Sequence, residues 1–176
     1  NDIIQLAEKL NVPILADPLS QLRYGSNSKM VLANYDYFLR CKKINPDLII
    51  RFGRKPTSKV LNKLLYKWEN STILIDAWEQ FNDDCPQFIQ STIGKYCQYQ
   101  IKNCSWQGEH GWQKQLLAWE KEVYDILMQE SVYSEGTIAK CCVESIDDSG
   151  ELFIGNSMPI RDVDMFTLTS SKKIDT

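Results

Sequence analysis

The sequence predicts an α/β protein built on a Rossmann-like, doubly wound parallel sheet with helices on both faces. Two observations lead to this fold class. Short apolar runs alternate with amphipathic helical segments along the chain, and the connections between them are short. Strands separated by helices form a parallel sheet whose faces are covered, and right-handed crossovers wind it in both directions.

The pattern of apolar residues in the first half of the chain predicts three helices and three strands. Apolar residues recur at helical spacing from Ile3 to Leu10, and Asn11 and Pro13 then end this helix. Further helices are predicted over 35–41 and from Thr57 to Trp68. The predicted strands cover 13–16, 47–52 and 72–75, each a short apolar run closed by a turn residue.

The second half predicts one more strand over 88–92 and leaves 94–107 unassigned, because that segment has no clean period. A long helix is expected from Glu109 to Glu130, and a second one runs from a Ser134 cap to Ile146. The last strand covers 151–154. Residues 1–166 therefore form one α/β domain whose first strand we expect to lie upstream, and 167–176 are predicted to be a linker toward a further domain.

Size, composition and charge describe one globular domain. The chain has 176 residues, of which 43% are hydrophobic and 24% charged, and its formal net charge is −3. Positive charge is not concentrated enough to follow a phosphate backbone, so a nucleic-acid partner is not expected. No apolar run approaches the roughly 20 residues that cross a bilayer. A cytoplasmic protein without a membrane partner is the simplest interpretation.

Metal and disulfide chemistry are not predicted for this chain. Its single histidine, His110, and its cysteines form no C-x-x-C pair or zinc ligand set. Cys141 and Cys142 fall in a helical pattern and are interpreted as small buried hydrophobic residues. The six cysteines are expected to be reduced, and they are Cys41, Cys85, Cys97, Cys104, Cys141 and Cys142.

The first turn that could carry chemistry spans residues 155–162 and follows the last predicted strand. Gly155 allows a tight turn, Ser157 is placed to cap the next helix, and Pro159 fits its first turn. Free amides, a hydroxyl and the guanidinium of Arg161 suit a carboxylate, which arginine can bind with two hydrogen bonds. The alternative is that Ser157 only caps and Arg161 only pairs with Asp162 or Asp164.

The second such turn spans residues 52–59. It also follows a strand and opens a helix, and it contains the cations Arg54, Lys55 and Lys59. It lacks the second glycine of a P-loop. The alternative is a capped helix start with solvated basic side chains.

Other candidates are weaker. Asp17 and Asp76 each follow a predicted strand, and turn or cap roles are expected for both. His110 is placed on the surface at the start of the long helix. The G-x-G-x-x-G dinucleotide fingerprint is absent.

Three blocks of this sequence are recognisable together. They are 15–23 (LADPLSQLR), 50–53 (IRFG) with Pro56 and Ser58-Lys59, and 152–162 (LFIGNSMPIRD). They resemble the 2-succinyl-5-enolpyruvyl-6-hydroxy-3-cyclohexene-1-carboxylate synthase family of bacterial menaquinone biosynthesis. The blocks come in the family's order and spacing. The resemblance covers nearly the whole chain and is weakest between about residues 82 and 112.

The resemblance implies a thiamine-diphosphate enzyme of three domains, of which this chain is the middle one. That enzyme decarboxylates 2-oxoglutarate and adds the succinyl carbanion to isochorismate. Its cofactor and a divalent metal, Mg or Mn, lie between the other two domains of partner subunits in a dimer or tetramer. We therefore expect no catalytic, cofactor or metal residue in this chain, and no activity from it alone.

The resemblance also assigns substrate contacts. Ser157 and Arg161 would hold the succinyl-side carboxylate, with Asn156 beside them, and Lys59 would bind an acidic substrate. Val60 stands where some members of the family have arginine, and Arg54 or Lys55 would compensate. The competing hypotheses are a purely structural spacer and a stand-alone nucleotide- or flavin-binding module.

Overall fold

The strands of this protein pair only in parallel within the part of the chain that the structure describes. A computed structural model describes residues 1–79, 83, 85–129 and 132–176. Three small sheets pair β1 with β2, β3 with β4 and β4 with β5, and β6 with β7. The strands are β1 (Ile14–Leu15), β2 (Val31–Leu32), β3 (Ile49–Phe52), β4 (Thr72–Asp76), β5 (Gln87–Gln90), β6 (Gly150–Glu151) and β7 (Ile174–Asp175).

The helices and parallel strands alternate for most of the chain, which confirms the predicted α/β class. A 3₁₀ turn at Pro18–Ser20 follows β1. The described helices are α1 (Asp2–Leu10), α2 (Tyr35–Cys41), α3 (Lys59–Lys67), α4 (Ile93–Asn103), α5 (His110–Gln129), α6 (Glu135–Glu144) and α7 (Met158–Phe166). The predicted end of the long helix at Glu130 lies outside the described residues.

Helices cover both faces of the strands. Successive strand residues point to opposite faces, and Ile14 packs in a cluster with α1 whereas Leu15 packs against α2. The same alternation places Ile49 against α2, α3 and α5, and Phe52 against α1 and α4. This two-sided packing is the doubly wound arrangement that the alternating sequence pattern predicts.

Side-chain caps fix where several helices begin. Ser58 Oγ accepts a hydrogen bond from the Leu61 amide at 3.0 Å, so α3 begins two residues later than the Thr57 start that the sequence suggests. Ser134 caps α6 as predicted and forms a capping box with Thr137.

The segment that the sequence left unassigned contains α4. Its capping residue is Thr92, and among its residues Cys97 alone is fully buried. Cys97 packs with Leu6 and Leu10 of α1, so α4 is held by contacts with the other end of the domain. Strand β2 was also not predicted, because two residues give no detectable period.

The carboxyl-terminal predictions need two corrections. Of the last strand, predicted over 151–154, only Glu151 belongs to β6, and Phe153 is 92% exposed. The segment 167–176, predicted as a linker, packs onto the domain: Ile174 is 2% exposed, and the Ser149 amide donates to the Lys173 carbonyl at 2.7 Å. That this segment leads to a further domain stays a prediction.

Cysteine burial also differs from the prediction. Cys141 and Cys142 lie on α6 as expected, but both are exposed, because the buried positions of that helix are Gly136 and Val143. The cysteines of the chain are free. Among the described residues, no helix has both the length and the apolar character that crossing a membrane requires.

Candidate functional site

The turn before α7 places Ser157 in an unusual backbone conformation. Ser157 has φ 76° and ψ −117°, a region that residues with a Cβ seldom adopt. It occupies the N-cap position of α7, but its side chain makes no capping hydrogen bond. The prediction that Ser157 caps the helix with its hydroxyl is therefore wrong.

This conformation has a cost, and no side-chain cap from Ser157 offsets it. Backbone strain of this kind costs about 1–3 kcal/mol and is concentrated at functional sites. Gly155, Asn156 and Ser157 are all exposed, so the turn presents the hydroxyl and the amide side chain to solvent. The exposed hydroxyl of Ser157 therefore takes no part in capping α7.

Arg161 lies one turn into α7 and is half-buried. Its Nη1 is 3.9 Å from the sulfur of Met158, a weak contact, and among the described residues it forms no ion pair. Pairing with Asp164 is excluded as its role, because Asp164 binds Arg23 instead. Burial, and then the nearby Glu135, raise the pKa of Asp162, and no ion pair joins that carboxyl to Arg161.

The second turn follows β3 and begins at Gly53, whose φ of 70° suits glycine. The Gly53 amide donates to the Ile75 carbonyl at 3.1 Å, which holds the turn against β4. Ser58 is buried and its hydroxyl donates to Asp36 Oδ2 at 2.6 Å. Arg54 and Lys59 are exposed on either side of this anchored segment.

Asp17 joins the end of β1 to the second turn. Its Oδ1 accepts from the Leu19 amide at 2.9 Å, and its Oδ2 accepts from the Thr57 amide at 2.6 Å. Asp17 therefore caps the 3₁₀ turn. It also links the segment after β1 to the turn after β3 by a hydrogen bond. Asp76 has the turn role that was predicted, because its Oδ1 accepts from the Trp78 amide at 3.0 Å.

A buried ion pair between Arg23 and Asp164 joins the loop after β1 to α7. The side chains are 0% and 2% exposed. Arg23 Nε donates to the Ala16 carbonyl at 2.6 Å, its Nη1 to the Asp164 carbonyl at 3.0 Å, and its Nη2 to Asp164 Oδ1. The sequence offered only the LADPLSQLR block as a signal of this pair.

The carboxyl groups near this pair have shifted pKa values. Burial raises the pKa of Asp164 to about 6, with the Arg23 guanidinium opposing and Asp17 and Asp36 adding to the shift. Burial also raises the pKa of Glu120, which accepts hydrogen bonds from the Ala33 and Asn34 amides.

The structure does not join the predicted site residues to one another directly. Within the described ranges, no hydrogen bond or ion pair links Asn156, Ser157 or Arg161 to Arg54 or Lys59. The loop that follows β1 bonds to the second turn through Asp17 and Thr57, and to α7 through Arg23 and Asp164. His110 is exposed at the start of α5, where its Nδ1 lies 2.8 Å from Asn11 Nδ2. Among the residues that the structure describes, no hydrogen bond of His110 reaches Asp17 or Arg23.

The fold and its two strand-end turns agree with the class of protein that comparison defines. A family model described as the middle domain of thiamine pyrophosphate matches residues 1–154. The match covers most of the chain, and the chain belongs to this family.

The similar proteins define the relationship further. The chain is 33% identical over 184 residues to the 2-succinyl-5-enolpyruvyl-6-hydroxy-3-cyclohexene-1-carboxylate synthase of Bacillus cytotoxicus, covering 98% of this chain and 32% of that protein. The synthase of Listeria monocytogenes serotype 4b is 33% identical over 192 residues, and that of Oceanobacillus iheyensis 35% over 188, each with 98% and 32% coverage. The resemblance to this synthase family is thereby confirmed.

The chain spans about a third of the length of these relatives. Because the alignments leave out only about 2% of the chain, they extend beyond the family model and include the 155–162 turn.

The family implies thiamine diphosphate in the parent enzyme. Among the described residues, no group of three or more His, Cys, Asp and Glu side chains lies close enough together to hold a metal ion. Asp17 and Asp164 are already engaged by backbone amides and by Arg23.

Proposed function

We propose that this chain is the middle domain of a cytoplasmic, thiamine-diphosphate-dependent synthase of menaquinone biosynthesis. The synthase decarboxylates 2-oxoglutarate and adds the succinyl unit to isochorismate. The domain contributes contacts to substrate carboxylates, while the cofactor and a divalent metal, Mg or Mn, are held by other domains of a homo-oligomer. The support is the similarity to synthases of that name over 98% of the chain.

The single observation that carries the site assignment is the conformation of Ser157. A residue with φ 76° and no capping bond keeps its strain only where the surrounding fold imposes it. The strained serine lies in the block GNSMPIR, through which the chain resembles the synthase family. Geometry and resemblance therefore select the same position.

The chemistry of the two turns suits dicarboxylates. The Arg161 guanidinium can bind a carboxylate with two parallel hydrogen bonds, and the Ser157 hydroxyl and the Asn156 amide can donate further ones. Lys59 and Arg54 add exposed positive charge in the turn that follows β3. We assign the succinyl-side carboxylate to Ser157 and Arg161, and a carboxylate of either substrate to Lys59.

Some members of the family have arginine at position 60, and we propose that Arg54, or Lys55 beside it, supplies that charge here. Val60 is half-buried and packs in the cluster around α2 and α3, so it cannot contact an anion. Arg54 is exposed at the start of the same turn and restores the charge.

In this account the domain binds and orients, and it does not transfer protons. Thiamine diphosphate, when bound elsewhere in the synthase, supplies the decarboxylation chemistry. Fixing one end of 2-oxoglutarate orients its other end toward that chemistry. The chain alone is expected to be inactive.

The test compares two serines in the full-length synthase. Ser149 also has a positive φ, 66°, and is exposed, but it lies outside both turns. Ser157→Ala should lower kcat/KM for 2-oxoglutarate on the order of tenfold, the effect of losing a hydrogen bond to a charged group, and Ser149→Ala should leave it unchanged. Equal kinetics for both variants would favour the structural spacer. A melting shift with added flavin or nucleotide would favour the stand-alone module.

A further inference from the structure

We propose that the loop after β1, residues 16–23, positions the two substrate turns relative to each other. The loop holds α7 through Arg23 and the 52–59 turn through Asp17. This inference rests on the proposed function and adds two positioning residues to it. Neither residue is placed in contact with substrate.

The Arg23 end of the loop is fixed by hydrogen bonds to two elements. Its Nε binds the Ala16 carbonyl at the end of β1, and its Nη1 and Nη2 bind the Asp164 carbonyl and carboxylate on α7. The planar guanidinium fork sets the direction of these bonds, which a lysine ammonium would not do. Tyr35 adds a further bond, since its hydroxyl donates to Asp164 Oδ1 at 3.3 Å.

The Asp17 end uses both oxygens of one carboxylate. Oδ1 accepts from Leu19 within the loop, and Oδ2 accepts from Thr57 in the other turn at 2.6 Å. An asparagine here has a single acceptor oxygen, so it can keep only one of these two bonds. Asp17→Asn therefore removes a defined contact while it preserves size.

Ala16 and Asp17 are neighbours, so the two attachments meet at the end of β1. Arg161 lies within one helical turn of Asp164, and Lys59 lies two residues after Thr57. A displacement at either attachment moves a cation that the proposed function places on a substrate carboxylate. Because a shift of about 1 Å can cost on the order of 100-fold in rate, this connection affects binding geometry and not stability alone.

The alternative is that Arg23 only stabilises the domain. Coupling between variants distinguishes the two roles. If Arg23 acts through Arg161, replacing Arg23 already displaces Arg161, and truncating Arg161 in that background should then raise KM only slightly. If the two residues act independently, their effects on KM multiply.

The experiment measures KM and kcat for 2-oxoglutarate in the full-length synthase with Arg161→Ala, Arg23→Lys and the double variant. Arg161→Ala alone should raise KM about tenfold or more, and in the Arg23→Lys background it should raise KM less than about threefold. Leu127→Ala is the control, because Leu127 is buried in α5 and bonded to neither turn. It should lower the melting temperature without changing KM.

A second pair of variants keeps the test open if Arg23→Lys does not fold. Asp17→Asn should reduce the effect of Lys59→Gln on KM for the substrate that Lys59 binds. Lys63→Gln, one turn further along α3 and also exposed, should have no effect in either background.

The positioning role would be overturned if, in both pairs, the double variant's change in KM equals the product of the single variants' changes to within about twofold. Independent sites are additive in free energy, so their effects on KM multiply. If Arg161→Ala and Lys59→Gln themselves leave KM unchanged, the proposed function fails instead. Failure of the positioning role is therefore measured in the double variants, and failure of the proposed function in the single variants Arg161→Ala and Lys59→Gln.

Discussion

Arg23 and Asp164 are 141 positions apart in sequence and form an ion pair from which solvent is almost wholly excluded. The pair bridges the loop after β1 and the helix that follows the last strand. Every nitrogen of the guanidinium has an acceptor, on Ala16, on Asp164, or on the Val163 carbonyl at 3.4 Å. Such complete pairing is what makes a buried charge tolerable.

Removing the cation should strongly destabilise this chain. Arg23→Met leaves the Asp164 carboxylate and the Ala16 carbonyl buried without their donor. Breaking a buried ion pair from one side costs about 3–5 kcal/mol, and we expect a loss of that order in the free energy of unfolding at pH 7. Urea denaturation of the chain measures it.

The matched control for this variant is an exposed pair. Lys121 and Asp125 on α5 are 72% and 50% exposed, and Lys121→Met should change stability by less than about 0.5 kcal/mol. Comparable losses for the two variants would show that the Arg23 network is no more important than a surface contact.

The stability that Asp164 contributes should depend on pH. Its pKa is raised from 3.8 to about 6, so the folded state binds a proton that the unfolded state has already released between those values. The stability that Asp164 contributes is therefore fully present below about pH 4 and is lost as pH rises through about 6. The free energy of unfolding should fall by at most about 3 kcal/mol over this range.

Asp164→Asn isolates this effect because it does not titrate. The difference in unfolding free energy between the unmodified chain and the variant should shift in the variant's favour from pH 4 to pH 7. A difference that stays constant would mean that Arg23 keeps the carboxylate ionised throughout this range.

Relieving the strain at Ser157 should stabilise the chain. Glycine adopts φ 76° without a Cβ clash, and its greater freedom in the unfolded state opposes only part of the gain. Ser157→Gly should therefore add about 1 kcal/mol to the free energy of unfolding.

In the control variant, the same substitution should change the free energy of unfolding in the opposite direction. Ser145 has an ordinary helical φ of −79°, so Ser145→Gly should destabilise the chain. A loss of stability in Ser157→Gly as well would show that the turn is not strained.

The sequence predicted the elements whose periodicity is strong. The helix at α2 and the strands β3 and β4 have apolar runs long enough to show their period. Helix α4 was missed because its buried face combines Tyr96, Cys97 and Ile101 with glutamines and lysines, which weakens the pattern. The strands β2 and β7 have only two residues each, and their pairing depends on partners distant in sequence.

The site was predictable only as a set of separate turns. Ser157, Arg161 and Lys59 were selected from local chemistry and family blocks. The structure places Lys59 at the start of α3, Ser157 at the N-cap of α7 and Arg161 in the first turn of α7. Their contacts with substrate stay a prediction. The backbone conformation of Ser157 was not predictable, because serine does not indicate a positive φ. The connection through Asp17 and Arg23 was also not predictable, because a single sequence shows no contact between residues 17 and 57 or 23 and 164.

The central claim is that Arg161 binds a substrate carboxylate. The most direct measurement is the steady-state kinetics of the full-length synthase carrying Arg161→Ala, with 2-oxoglutarate varied at saturating isochorismate. Arg161→Lys is the matched variant, since it keeps the charge and loses the two-pronged geometry. Melting curves confirm that each variant is folded.

Losing a charged hydrogen-bond partner costs about 1.5–3 kcal/mol, so kcat/KM should fall on the order of 10- to 150-fold in Arg161→Ala and less in Arg161→Lys. An unchanged kcat/KM in a folded Arg161→Ala enzyme would contradict the account and leave this domain as a structural spacer.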